Sequence, residues 1–238
     1  MIDFHTHLLP QIDDGACDVA TALQMTEALS SQNVTEAVCT PHFDPSSSSV
    51  EEFTIKRSVA LSKMVSSPIR LIPGSETLLH EYLFYFNDLS ALCIGNTRYL
   101  LLELPYQKRL DRKIYDHVSR LTNYYNIIPI IAHVERYRGI RSKQMKALVQ
   151  MGCILQLNTS SILNKRTRDK ALRYIKKGYI HIIGTDCHDM LHRPPNMSPA
   201  LDVIEEQLGA SFCEKLEYYS LCIINGLEHQ KNKSYIIE

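Results

Sequence analysis

The chain of 238 residues carries 26 basic and 26 acidic side chains, so no global field draws it to nucleic acid or to an anionic membrane. No run reaches the roughly 18 consecutive apolar residues of a membrane span, and Asp3, His5 and His7 occupy a stretch that in a signal peptide would be basic and then apolar. A cytoplasmic protein without membrane insertion is expected, and a single domain over 1–238, because barrels of alternating strands and helices commonly run to about 200–250 residues.

Strands are predicted over 2–7, 36–40, 70–74, 99–104, 127–133, 153–158 and 180–186, and helices over 19–31, 111–125, 142–151, 163–177, 198–208 and 211–224. This alternation predicts a mainly parallel sheet. The run Ile127-Ile128-Pro129-Ile130-Ile131-Ala132 is apolar throughout, the pattern of a strand covered on both faces, and a barrel satisfies that best. The four serines at 46–49 read as a mobile loop tip and 229–238 as a loosely held tail.

In such a barrel the chemistry sits where strands stop, and ligand-type residues fall there. His5 and His7, two residues apart and so on one strand face, close the first strand, and Asp14 lies in the loop after it. His42 follows the second strand and Glu76 the third; Glu103 closes the fourth, His133 the fifth, and Asp186 with His188 the seventh. A carboxylate ending the run Tyr99-Leu100-Leu101-Leu102 is costly to bury without a cationic partner, which favours a ligand or ion-pair role for Glu103. The seven cysteines are odd in number, scattered and never in a Cys-x-x-Cys pair, leaving imidazole and carboxylate as the available ligands. Five histidines and four carboxylates are too many for one ion; three divalent ions with one bridging carboxylate would use them, and Mn²⁺, Fe²⁺ or Zn²⁺ would suit the mixed shell. The remaining histidines, His80, His117, His181 and His229, read as surface or structural residues, with His192 near the rim.

The motifs Asp3-Phe4-His5-Thr6-His7-Leu8-Leu9-Pro10, Asp13-Asp14-Gly15, Thr40-Pro41-His42, Gly74-Ser75-Glu76, Leu102-Glu103-Leu104-Pro105, Ala132-His133-Val134-Glu135-Arg136-Tyr137 and Thr185-Asp186-Cys187-His188 leading to Arg193-Pro194-Pro195 span nearly the whole chain. In them the chain resembles the PHP (polymerase and histidinol phosphatase) superfamily, and closely its bacterial manganese-dependent protein-tyrosine phosphatase branch of the CpsB/YwqE type. The resemblance implies a distorted (β/α)7 barrel, TIM-like, holding three metals, Mn first. His5, His7, Glu76 and Asp186 would hold one, Glu76, Glu103 and His133 the second, and Asp14, His42 and His188 the third, with Arg136 and Arg193 contacting phosphate. Two departures fall at the rim: Val134 stands where the branch commonly has Pro, and Phe43-Asp44 follows His42 in place of a frequent second His.

The expected reaction is hydrolysis of phosphotyrosine on a protein by metal-activated hydroxide, the ions binding phosphate oxygens and lowering the pKa of a bound water towards about 7. By resemblance the partner is a tyrosine-autophosphorylating kinase governing capsule or exopolysaccharide export; a homo-oligomer is left open. The rival readings are a histidinol-phosphate-type small-molecule phosphatase, against which Glu103 and Asp14 speak by resemblance, and a non-catalytic metal-holding or kinase-binding module. Cys187 and Arg193 also fit Cys-x5-Arg, the signature of thiolate phosphatases. That match reads as accidental, because the intervening loop has no Gly to cradle phosphate and Pro194 follows the arginine.

Overall fold

A parallel pairing starts at the first residues: β1 (Ile2–Thr6) lies beside β2 (Glu36–Cys39), and β2 beside β4 (Arg70–Pro73), with Ile2 opposite Glu36 and Glu36 opposite Arg70. In this computed structural model, which describes residues 1–105 and 110–227, those runs continue as β3 (His42–Phe43) and β5 (Glu76–Leu78). Here a second sheet begins. β3 pairs with β5, and β5 passes on to β6 (Tyr99–Glu103), β7 (Ile128–Ile131), β8 (Ile154–Asn158) and β9 (Ile182–Gly184), every pairing parallel. The chain beyond β9 returns to β1, where the Asp186 amide donates to the His5 carbonyl at 2.7 Å and the His7 amide to the Cys187 carbonyl at 3.0 Å.

The result is the expected distorted barrel of seven strand runs, two of them broken in the middle. The distortion lies between β4 and β6, where Gly95 N donates to Pro73 O at 2.7 Å and Ile94 N to Tyr99 O at 2.8 Å, so a loop closes the wall below β5. The expected tail over 229–238, with His229, lies outside the described residues.

Two apolar layers follow from strands buried on both sides. Ile2, Phe4, Val38, Ile72, Leu101 and Ile130 are among the residues filling the barrel interior, and the alternate positions Leu100, Leu102, Ile131, Leu155 and Leu157 pack outward on the helices. Burying each such side chain is worth about 1.5–3 kcal/mol. The helices are α1 (Val19–Ser31), α2 (Val50–Ser62), α3 (Arg112–Asn123), α4 (Ser142–Gln150), α5 (Thr159–Leu163), α6 (Arg168–Lys176), α7 (Met197–Leu208) and α8 (Ala210–Ile224). Asp18 and Asp111 cap α1 and α3 through the amides of Thr21 and Ile114.

Three expectations are corrected. The serines at 46–49 are not a bare loop tip: Ser46 closes a turn on Asp44, and Ser49 forms a reciprocal capping box with Glu52 that starts α2, a helix absent from the sequence-based prediction. The helix expected over 163–177 starts only at Arg168, as α6, because a separate short α5 ends at Leu163 and Asn164 and Thr167 redirect the chain between them. The third concerns strand ends, which apart from that of β8 stop one or two residues short of the prediction and leave several candidate ligands on the turns just beyond.

Candidate metal centre

At the C-terminal mouth of the barrel the interior turns from apolar to polar, and all nine candidate ligands meet there. A register shift between Asp3 and Thr6 interrupts the alternation begun by Ile2 and Phe4, and His5 and His7 enter the cluster together. Their Nε2 atoms lie 3.2 Å apart. Glu76, carried in on β5, is the hub: its Oε2 is 3.0 Å from His5 Nε2, 3.4 Å from His7 Nε2 and 3.1 Å from His42 Nδ1, and its Oε1 is 2.7 Å from His133 Nε2. Asp186 Oδ1 is 3.4 Å from both His5 and His7. Asp14 Oδ1 sits 3.4 Å from His42 Nε2 and 3.4 Å from His188 Nε2, and Glu103 is 3.7 Å from His133.

These contacts resolve into overlapping donor groups, each within 4.8 Å: His7 with Asp14, His42 and His188; His5 with His7 and Asp186; His5 with Glu76 and His133; and His42 with Glu76 and Glu103. These groups overlap the sets that the resemblance implies without matching them: His7 joins Asp14, His42 and His188, while His133 groups with His5 and Glu103 with His42.

The donor set fits cations. Glu76, Asp186, His5, His7, His133 and His188 are all buried, and His133 Nδ1 and His188 Nε2 have no hydrogen-bond partner. A buried carboxylate or imidazole without a partner is costly, and cations meeting these donors remove that cost. The protonation pattern points the same way. Burial favours a neutral His7, but the oxygens of Asp13, Asp186 and Glu76 outweigh it and hold its proton affinity well above that of free imidazole. For Glu76, burial is likewise overcome by His5, His133 and His7, leaving the carboxyl well below its usual range. Asp186 is also held below the usual range, burial losing to His5, His7 and Arg193. Glu103 goes the other way, pushed up to about 7 by burial and by Glu76, and His188 falls to about 4 through burial, His7 and Arg193.

Two candidate ligand positions occupy backbone that non-glycine residues rarely adopt. His133 has φ +31° and Asp186 φ +55°, both in the left-handed region, where such residues persist only if their surroundings hold them. The packing here is close. A Cβ on Gly184 would stand 2.6 Å from the His5 Cβ, and one on Gly15 2.3 Å from the His7 carbonyl, so only glycine lets these loops press against β1 and the turn after it.

Both arginines end on the cluster. Arg193 Nη2 is 2.6 Å from Asp186 Oδ1 and Arg136 Nη1 3.1 Å from Asp186 Oδ2, with each side chain over a third exposed at the mouth. Glu135, next to Arg136 in sequence, is buried and accepts from Ser161 Oγ at 2.9 Å. Further residues support the ligands. Asp13 accepts from His7 Nδ1 at 2.7 Å, and Asp3 accepts from the Thr185 amide and hydroxyl at 3.0 and 2.6 Å and from the His5 amide at 3.2 Å. Asp3 and Asp13 belong to the His-rich motifs, but only the closed barrel puts them behind the ligands. Cys187 is fully buried with its thiol pushed well above the usual range by burial and by Asp3, the reverse of a reactive thiolate. His181 is structural, its Nδ1 accepting from the Leu155 amide at 3.1 Å, and His80 turns its Nδ1 to the Tyr82 amide.

Residues 1–222 match the model of the capsular polysaccharide synthesis family CpsB/CapC. The chain belongs to the CpsB/CapC family. Among its relatives, the tyrosine-protein phosphatase YwqE of Bacillus subtilis is 30% identical over 229 residues, covering 88% of this chain and 86% of the relative. The tyrosine-protein phosphatase CpsB of Streptococcus agalactiae is 25% identical over 237 residues, covering 91% and 94%. In solved structures, one describing YwqE from Bacillus subtilis and CpsB from Streptococcus pneumoniae as metal-dependent tyrosine phosphatases superposes with a TM-score of 0.84 at 26% identity, covering 95% of each chain. An inactive dihydroorotase-like domain from Chaetomium thermophilum, with a TM-score of 0.57 at 9% identity, shares the fold alone. Among the described residues of this CpsB/CapC member, no helix is long and apolar enough to cross a membrane.

Proposed function

We propose that the protein is a cytoplasmic metal-dependent phosphatase that hydrolyses phosphotyrosine on proteins, and that its substrate is a tyrosine-autophosphorylating kinase controlling capsule or exopolysaccharide synthesis. The observation that carries the reading is the convergence of nine imidazole and carboxylate donors on Glu76, with Arg136 and Arg193 at the open edge of the same cluster. The names of the relatives support the substrate class.

Three divalent ions, Mn²⁺ first, fit the donor count. His5, His7, Glu76 and Asp186 would hold one, Glu76, Glu103 and His133 another, and Asp14, His42 and His188 the third. Such ions supply positive charge for phosphate oxygens and acidify a coordinated water. The chain's own groups do the rest. Arg136 and Arg193 both rest on Asp186, and a phosphomonoester carrying about two negative charges competes with that single carboxylate for their forked donors. Their contacts then fix the phosphoryl group over the cluster. A tyrosine oxygen leaves readily because the phenol pKa is about 10, so no strong acid need stand beside it.

The test is hydrolysis of p-nitrophenyl phosphate, a phosphotyrosine peptide and histidinol phosphate by purified protein, with added Mn²⁺ and after EDTA. Turnover of the first two that EDTA abolishes supports the reading. Preferential turnover of histidinol phosphate would move the protein to the small-molecule class, and inactivity with metal bound would make it a metal-holding module.

A further inference from the structure

Six of the seven strand runs deliver a histidine or carboxylate to the cluster, and β8 delivers none. Its inward face carries instead two primary amides, Gln156 and Asn158, two residues apart and both buried. Their polar atoms are engaged in one direction. The backbone N–H of His133 can only donate, and it donates to Gln156 Oε1 at 2.6 Å. That makes Gln156 Nε2 the donor to Asn158 Oδ1 at 2.9 Å, and Asn158 Nδ2 the donor to Asp186 Oδ2 at 2.7 Å. Because a backbone group sets the first link, the orientation of both amides is determined rather than chosen.

The pair ends on three ligands. Gln156 Oε1, already an acceptor, also faces His5 Nδ1 at 3.5 Å, which favours a proton on Nδ1, so that Nε2, turned toward Glu76, His7 and Asp186, is the nitrogen a cation would claim. The same oxygen holds the amide of His133, and Asn158 holds one oxygen of Asp186 so that the other points at His5 and His7. His133 and Asp186 are the two ligands in left-handed backbone, the conformations that most need external restraint. Gly184 gives the pair its room, since a Cβ there would stand 3.1 Å from Gln156 Nε2.

The geometry points to Gln156 and Asn158 as positioning residues that set the tautomer of His5, the backbone of His133 and the rotation of Asp186 for metal binding. This rests on the metal-dependent reading above and adds to it residues outside the ligand set.

The test uses near-isosteric variants and reads metal rather than turnover: Gln156→Met, Gln156→Glu and Asn158→Leu, each titrated with Mn²⁺ against a competing chelator, with thermal melting of the metal-free forms alongside. Gln156→Met and Asn158→Leu are expected to lose on the order of 10- to 100-fold in Mn²⁺ affinity. Gln156→Glu, which keeps the acceptor for His133 and His5, should retain more affinity than Gln156→Met. Equal affinity in Gln156→Met and the unaltered chain would overturn the inference, because packing alone does not distinguish the two. Should the variants not fold, ¹⁵N-histidine spectra of the unaltered protein loaded with Zn²⁺ decide: a proton on His5 Nδ1 supports the assignment and one on Nε2 overturns it. An unaltered chain that binds no Mn²⁺ would instead sink the metal-dependent reading itself.

Discussion

His7 turns its two ring nitrogens to different tasks: Nδ1 meets Asp13 Oδ2 at 2.7 Å, and Nε2 faces the cluster, 3.2 Å from His5 Nε2 and 3.4 Å from oxygens of Glu76 and Asp186. Asp13 is anchored in turn, its Oδ1 accepting from the Gly15 amide at 2.9 Å and its Oδ2 from the His42 amide at 3.1 Å. One carboxylate therefore orients the His7 ring and ties together the loops that carry Asp14 and His42.

Asp13→Asn tests this orientation. Both oxygens accept from N–H groups, so an amide must turn a donor toward at least one of them. Metal affinity should fall about 10- to 100-fold, the usual cost of disturbing a carboxylate behind a ligand histidine. Chelator competition with Mn²⁺ measures it, and unchanged affinity would show that His7 needs no such partner.

Gly184→Ala should act through the backbone. The new methyl would meet His5 Cβ at 2.6 Å and His5 N at 2.9 Å, neither of them the flexible end of a side chain, so β1 and β9 must separate. Such overpacking costs about 1–3 kcal/mol, and at about 2–4 °C per kcal/mol for a chain of this size the melting temperature should drop by about 2–12 °C. Calorimetry of the metal-free protein reads this directly. A melting temperature equal to that of the unaltered chain would mean that the strands tolerate the shift.

The strand runs and much of the cluster were legible because several of its residues close an apolar run that stops abruptly, as at Leu102-Glu103 or Ala132-His133. α2 was not, since its pattern runs against its burial. Ile55 and Val59 face solvent while Arg57 turns inward to the carbonyls of Gly74 and Ala91 at 2.7 and 2.8 Å; Ser49 and Glu52 were the local signal. Gln156 and Asn158 look in sequence like any polar pair in a strand. Their task depends on His133 and Asp186, which lie 23 and 28 residues from them along the chain, and on left-handed backbone at those two ligands that no local preference announces.

Cys187→Ser separates the two phosphatase chemistries. The thiol is fully buried and pushed well above its usual range, so it neither reaches a phosphoryl group nor ionises to attack one. The variant should keep most p-nitrophenyl phosphatase activity, whereas EDTA should abolish activity in both proteins. Loss of activity in the serine variant with its metal content intact would restore the thiolate mechanism.

Arg193→Lys and Arg136→Lys keep the charge and remove the fork. A hydrogen bond to a charged group is worth about 1.5–3 kcal/mol, so each change should lower kcat/KM by about 10- to 100-fold and weaken inhibition by inorganic phosphate. Metal content should be retained, because neither arginine supplies a ligand atom. Steady-state kinetics with phosphate as inhibitor checks both, and activity near that of the unaltered chain would remove the arginines from phosphate binding.

Metal loading should release protons and weaken in acid. Burial and the adjacent Glu76 push Glu103 up to about 7, and His7, despite burial, is held protonated by Asp13, Asp186 and Glu76. A cation must displace these protons, so affinity should rise as pH climbs through about 7 and go on rising until His7 too gives up its proton. The sign for folding runs the other way. A carboxyl whose pKa is raised in the folded state stabilises the metal-free fold in acid and loses that contribution as pH rises through the folded value. The gain in melting temperature on adding Mn²⁺ should accordingly be larger at pH 8 than at pH 6, and potentiometry in weak buffer should register proton release at pH 6 to 7. A stabilisation by Mn²⁺ that is equal at both pH values, with no protons released, would show that the ligands are already deprotonated before the ions arrive.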